Sequence, residues 1–80
     1  MNARPQVVDL MLRSTRQIAA HEALVAEATQ CAKMFDNLGD KRSALFLRQI
    51  IAIRQAELVD LRGIIARLAN ILVKMPIESV

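Results

Sequence analysis

The sequence predicts an all-α fold, a hairpin of two long antiparallel helices, and three observations support it. Apolar residues recur at alternating steps of three and four along most of the 80 residues. One strong turn signal, at residues 37–40, divides the chain near its middle. No alternation typical of a strand is present. With 54% apolar and 24% charged residues, the composition favours one folded domain over a disordered chain.

The first helix is predicted over residues 6–38, after a flexible N-terminus at 1–5. Pro5 suits the first turn of a helix, where its missing N–H costs nothing. Ser14 and Gln17 form a capping-box pattern, which leaves open a break of the helix near residues 13–15. The predicted inner stripe consists of Val7, Met11, Ser14, Ile18, His21, Val25, Ala28, Ala32 and Phe35, thickened by Leu10, Leu24, Cys31 and Leu38.

A turn at residues 39–40 separates the two helices. Gly39 suits the left-handed position that follows a helix end, and Asp40 suits the N-cap of the next helix. The second helix is predicted over 41–74, because Pro76 disfavours helical backbone at the residue before it. Residues 75–80 then form a C-terminal tail.

The second helix carries more apolar surface than one neighbouring helix covers. Its apolar arc spans about 180°, whereas an ordinary amphipathic helix buries a stripe of about 100°. The remaining apolar surface must therefore be buried by a second copy of the chain, by a different protein, or by the start of the first helix folded back. The inner stripe is Leu47, Ile51, Leu58, Leu61, Ile65, Leu68 and Leu72, and a second stripe holds Phe46, Ile53, Ile64 and Ile71, with Ile50 between them.

Catalytic and metal-binding chemistry find little support in the sequence. Ser14 and His21 lie about 10 Å apart along one helix, too far for a nucleophile and its base, even with Asp36 as a third member. His21 and Cys31 supply two zinc ligands where three or four are needed. We therefore expect no enzyme activity, no cofactor and no metal. His21 fits a partly buried position in the helix interface, and Cys31 fits a small buried apolar group.

The net charge of +3 is distributed unevenly. Residues 41–74 hold seven bases and two acids, whereas residues 1–40 hold four bases and five acids. An ordinary solvated face is the favoured interpretation, and direct binding of nucleic acid is disfavoured because no recognition motif accompanies the charge. The single cysteine and the absence of an apolar span predict a cytoplasmic protein that does not bind a membrane. The bases of this face are Lys41, Arg48 and Arg62, with Arg42, Arg67 and Lys74 beside them.

Two short segments resemble the small rhizobial quorum-sensing antiactivators of the TraM type, and the related QseM type of mobile symbiosis islands. The first segment, H-x-x-L-V-x-x-A, begins at His21, and the second, L-x-x-I-L-x-x-x-P, begins at Leu68. The resemblance implies an antiparallel helical protein without catalytic activity that binds a LuxR-type activator, keeps it off DNA and represses conjugative transfer. For the QseM type it also implies an excision activator as a second target. The matched positions are His21, Leu24, Val25, Ala28, Leu68, Ile71, Leu72 and Pro76.

The expected function is therefore sequestration of a transcriptional activator through the surplus apolar surface. The alternatives are a homodimeric four-helix bundle with a structural role and a bundle that binds nucleic acid, which neutralising Arg48 and Arg62 would weaken. The expected partner-binding residues are Phe46, Ile53, Ile64, Ile71, Leu72, Met75, Pro76 and Ile77, with His21 and Leu24 from the first helix.

Overall fold

A computed structural model describes residues 3–75 and shows the predicted hairpin. Helix α1 spans Arg4–Asn37, helix α2 spans Lys41–Lys74, and residues 38–40 form the turn between them. The bounds of α2 are those expected from the sequence, whereas α1 begins two residues earlier and ends one residue earlier than expected. The result is a rod 64 Å long whose other two dimensions are 15 and 14 Å.

Helix α1 is continuous, so the break considered near residues 13–15 does not occur. Ser14 is half-buried on the inner stripe, and the Thr15 hydroxyl donates a hydrogen bond of 2.8 Å to the Met11 carbonyl one turn back. Both hydroxyl residues are therefore accommodated within the helix, and neither caps a new one. An unbroken α1 also means that its first part does not fold back over α2.

The turn is built as the sequence predicts. Gly39 has a φ of +79°, its N–H donates to the Asp36 carbonyl at 3.0 Å, and the Asp40 N–H donates to the Phe35 carbonyl at 2.9 Å. This pair of bonds is a Schellman motif. The Asp40 carboxylate then caps α2 by accepting from the Ser43 N–H at 3.1 Å and the Ser43 hydroxyl at 2.7 Å, which lowers the pKa of Asp40.

Helix α2 ends where Pro76 requires it to end. Met75 has an extended backbone with a ψ of 138°, which is the conformation that a following proline favours. Its N–H still donates to the Ile71 carbonyl at 3.0 Å. Pro76 itself and the rest of the tail lie outside the described residues, as do residues 1 and 2.

The two predicted inner stripes face each other. The residues of the two stripes themselves are all buried or half-buried, whereas the four residues expected to thicken the stripe of α1 are exposed: Leu10, Leu24, Cys31 and Leu38. Within residues 3–75 the buried positions are Ala28, Ala32, Ala44 and Leu58, so the core is narrow and three of its members are alanines. Small residues let two helices approach closely. In the part of the chain that the structure describes, neither helix has an apolar stretch long enough to cross a membrane.

Candidate interaction surface

The two flanks of the hairpin interface differ in chemistry. The inner stripes follow a heptad pattern, with the interior residues at positions a and d and the flanking residues at e and g. In an antiparallel pair the e positions of the two helices lie along one flank, and the g positions lie along the other. We place Met11 of α1 and Ile51 of α2 at heptad position a. Every flanking residue then belongs to either the e flank or the g flank.

The e flank, which we call the polar flank, is bridged by ion pairs between the helices. Both terminal nitrogens of the Arg48 guanidinium donate hydrogen bonds to the Asp36 carboxylate, and Lys41 Nζ lies 3.5 Å from Asp36 Oδ1. Arg62 Nη2 lies 3.9 Å from Glu22 Oε1. The bonds from Arg48 hold the pKa of Asp36 below its usual value. Three bases of the predicted basic face are therefore engaged by acids within the hairpin.

The g flank is apolar along most of its length. It contains g-position residues of both helices and two residues of α2, Phe46 and Ile53, that lie next to the g positions on the outer side of the helix. All of these residues except Ile50 are exposed. Phe46 is 62% exposed and Ile64 is 46% exposed, although both are large and apolar. We call this surface the apolar face: Leu10, Leu24 and Cys31 from α1, and Phe46, Ile50, Ile53, Ile64 and Ile71 from α2.

Five of the residues expected to bind a partner lie on this face: Leu24, Phe46, Ile53, Ile64 and Ile71. Because Ile64 is exposed, it does not belong to the core of the hairpin.

The other expected residues lie elsewhere. Leu72 is half-buried on the inner stripe, where it packs between the helices, and Met75 is half-buried just beyond α2. Pro76 and Ile77 lie outside the described residues.

Cys31 corrects one expectation from the sequence. It is an exposed free thiol and not a buried apolar group. The reason is its g position, one residue before the interior position of Ala32, which places it on the flank of the interface. The three apolar residues of α1 on this face looked like a thickening of the inner stripe. They continue the second stripe of α2, and only the pairing of g positions across the hairpin reveals it.

A polar cluster interrupts the apolar face at its middle. His21 Nε2 lies 2.5 Å from Glu57 Oε2, and Arg54 Nη1 donates to both oxygens of the same carboxylate at 3.0 and 3.1 Å. The His21 side chain is 20% exposed, as expected for a histidine in the interface. Arg54 Nε is buried and has no hydrogen-bond partner. We call His21, Arg54 and Glu57 the central cluster.

The two contacts of the His21 ring favour its cationic form. Nδ1 lies 2.8 Å from the Gln17 carbonyl oxygen, which only accepts, and Nε2 faces a carboxylate. Both ring nitrogens therefore donate when the ring carries two protons. The bonds to Glu57 and to the Gln17 carbonyl raise the pKa of His21, and the bond from His21 lowers the pKa of Glu57.

A shallow hollow marks the turn end of the apolar face. The rings of Phe35 and Phe46 line it together with Leu47, Ser43 and Arg42. Its walls are mainly apolar, so it suits an aliphatic side chain better than a charged ligand. Among residues 3–75 no group of three potential metal ligands is found.

Comparison of the chain with protein-family models, with curated proteins and with solved structures finds no significant match.

Proposed function

We propose that this chain is a small antiactivator without catalytic activity, which binds a transcriptional activator and keeps it from DNA. The target is a LuxR-type quorum-sensing regulator, an excision activator of a mobile element, or both. The consequence for the cell is repression of conjugative transfer. The chain needs no cofactor and no metal for this role, since binding alone performs it.

The apolar face is the observation that supports this proposal. Exposed apolar side chains that are grouped on one face, as they are here on both sides of the central cluster, mark sites of protein interaction. An apolar helical surface with a polar rim can lie against a helix or groove of a regulator. The face also contains Leu24 and Ile71, two of the positions that carry the resemblance to the antiactivators.

Direct binding of nucleic acid receives less support. Neutralisation of phosphates needs free bases, but Arg48 is paired with Asp36, and Arg62 lies beside Glu22. Engaging a phosphate with either arginine would remove that arginine from an acid of the hairpin. We therefore assign the ion pairs of the polar flank a structural role.

The experiment that tests the proposal is a gel-shift assay with purified LuxR-type and excision activators of the host, each on its own operator. We expect the wild-type chain to release one of these activators from DNA. Ile64→Glu should lose this effect while its helicity is retained, because Ile64 lies on the apolar face and outside the core.

Val59→Glu is the matched control. Val59 lies on α2 at a position about 140° around the helix from Ile64 and is 66% exposed. The Val59→Glu variant introduces the same charge into the same helix as Ile64→Glu. We therefore expect it to release the activator from DNA as the wild type does. Equal inhibition by both variants, or release of no activator by the wild type, would contradict the proposal.

A further inference from the structure

We infer that the hollow at the turn end of the hairpin is a binding site for a small amphiphilic carboxylate, a molecule with an aliphatic body and one terminal carboxyl group. Phe35, Phe46 and Leu47 enclose the aliphatic body, and Arg42 pairs with the carboxylate at the rim. The inference does not rest on the proposed function, although Phe46 also belongs to the apolar face.

The hollow gathers the aromatic surface of the chain at one place. Phe35 and Phe46 are the only phenylalanines, the sequence has no Tyr or Trp, and both rings line the hollow although they come from different helices. Its volume of about 510 Å³ lies within the range of roughly 300–1,000 Å³ that is typical of sites for small ligands. Because the Phe46 side chain is largely exposed, an aliphatic body that covers its ring removes apolar surface from water.

Arg42 is the charged residue that lines the hollow. Within residues 3–75 its side chain makes no hydrogen bond and no ion pair. Two other bases near the turn, Lys41 and Arg48, are instead both engaged by the Asp36 carboxylate. The guanidinium of Arg42 therefore keeps its donors for a ligand, and a planar guanidinium matches a carboxylate with two parallel hydrogen bonds.

The polar groups beside Arg42 do not compete for it. Ser43 donates its hydroxyl and its backbone N–H to the Asp40 carboxylate, at 2.7 and 3.1 Å, so this acid already accepts two hydrogen bonds from within the turn. A ligand whose carboxylate stays at the rim remains hydrated there, whereas a charge placed among the phenyl rings would lose its water. An aliphatic body with the charge at one end satisfies both conditions.

Residues 76–80 cannot fill the hollow of the same chain. They follow α2 at the end away from the turn, and α2 is about 51 Å long for its 34 residues. Five fully extended residues span at most about 18 Å. The occupant must therefore be a separate molecule.

The test is a titration of the full chain with decanoate at constant neutral pH, followed by NMR of the aromatic ring protons. We expect the signals of Phe35 and Phe46 to shift and to saturate with a Kd of about 0.1–1 mM. Octanoate, which has two methylenes fewer, should bind about tenfold more weakly. The His21 ring lies about 21 Å from Phe35 along α1 and should not shift.

The His21 ring separates a ligand in the hollow from one that coats the whole apolar face. Shifts of equal size at His21 and at both phenylalanines would overturn the inference. The same holds if the phenylalanine signals show no saturable shift at ten times the expected Kd.

Reversal of one charge tests the role of Arg42. The wild type should bind decanoate about 3- to 10-fold more tightly than decylammonium, and Arg42→Glu should reverse this preference. An acid in the first turn suits the helix dipole, so we expect this variant to fold. Arg67→Glu is the matched control, because Arg67 lies on the same helix about 37 Å away and its side chain likewise makes no hydrogen bond or ion pair within the described residues.

Both variants lower the net charge by the same amount, so an effect of total charge would appear in both. A preference that Arg42→Glu leaves unchanged, or that Arg67→Glu also reverses, would contradict the assignment of Arg42.

Truncation of Phe46 tests the wall of the hollow. Phe46→Ala should weaken the binding of decanoate and of decylammonium alike, by about tenfold, because the ring contacts the aliphatic body that both ligands share. Leu45→Ala is the control, since Leu45 is an exposed neighbour on α2 that does not line the hollow. Equal binding of decanoate by these two variants, with helicity retained in both, would refute the proposed site.

Discussion

Truncation of Leu58 is the sharpest test of the narrow core. Leu58 is the only large side chain among the buried residues of 3–75, and it is 5% exposed. Leu→Ala at buried sites costs about 2–5 kcal/mol, and a value near 3 kcal/mol is expected here because the half-exposed neighbours can partly close the gap. A chain of 80 residues has a total stability of about 4–12 kcal/mol. Leu58→Ala should therefore remove a large part of it.

The assay is thermal unfolding followed by circular dichroism at 222 nm, with all variants at one protein concentration so that their Tm values can be compared. Leu58→Ala should lower Tm by about 12–24 °C. Val59→Ala, the adjacent control, removes a side chain that is 66% exposed and should leave Tm unchanged or slightly raised, since alanine favours helix. Equal losses for the two variants would show that the assigned inner stripe is wrong.

Three further predictions concern the turn, an exposed glycine and the central cluster. Gly39→Ala should cost about 1–2 kcal/mol, because its φ of +79° strains any L side chain, and a urea midpoint equal to that of the wild type would contradict the assigned turn. Gly63→Ala should instead stabilise by up to about 1 kcal/mol, since its Cβ meets open space within a helix; a lower midpoint would mean that another helix approaches there. The His21–Glu57 pair should stabilise the fold most between pH 4.5 and 6.5. Below that window Glu57, whose pKa is lowered from 4.5, takes up a proton, and above it His21, whose pKa is raised from 6.5, loses one. Glu57→Gln should therefore weaken the decline in urea midpoint above pH 6.5, leaving only the part due to the Gln17 carbonyl, and a decline of unchanged size would assign it to another group.

The sequence was sufficient for the elements and for the residues between them. Helical periodicity located both inner stripes, and the chemistry of Gly39 and Asp40 located the turn. Local signals decide these features, because a Schellman turn and an N-cap each depend on a few adjacent residues. The capping pattern at Ser14 was misleading for the opposite reason: the continuous apolar stripe on both sides of it holds the helix together.

The chemistry of the two flanks could not be obtained from one helix at a time. Projecting α2 alone placed Arg48 and Arg62 on a basic face and Ile64 on a second stripe. The role of these residues depends on which side chains of α1 lie beside them. Acids of α1 lie on one flank, and Leu10 and Leu24 lie on the other. Pairing e with e and g with g across the predicted hairpin would have predicted both flanks from the same sequence.

The difference between the flanks limits where this hairpin can associate through apolar contacts. Two bare apolar flanks would let hairpins add layers on both sides without closure, a route to open assemblies. Here the ion pairs at Asp36 and Glu22 occupy one flank, and their desolvation would oppose apolar association on that side. The central cluster then limits which helices fit that face, because any occupant must bring polar groups to the level of Glu57 or leave buried charge without partners. For the proposed partner we therefore expect the three polar side chains of the central cluster to contribute specificity and the surrounding isoleucines to contribute affinity.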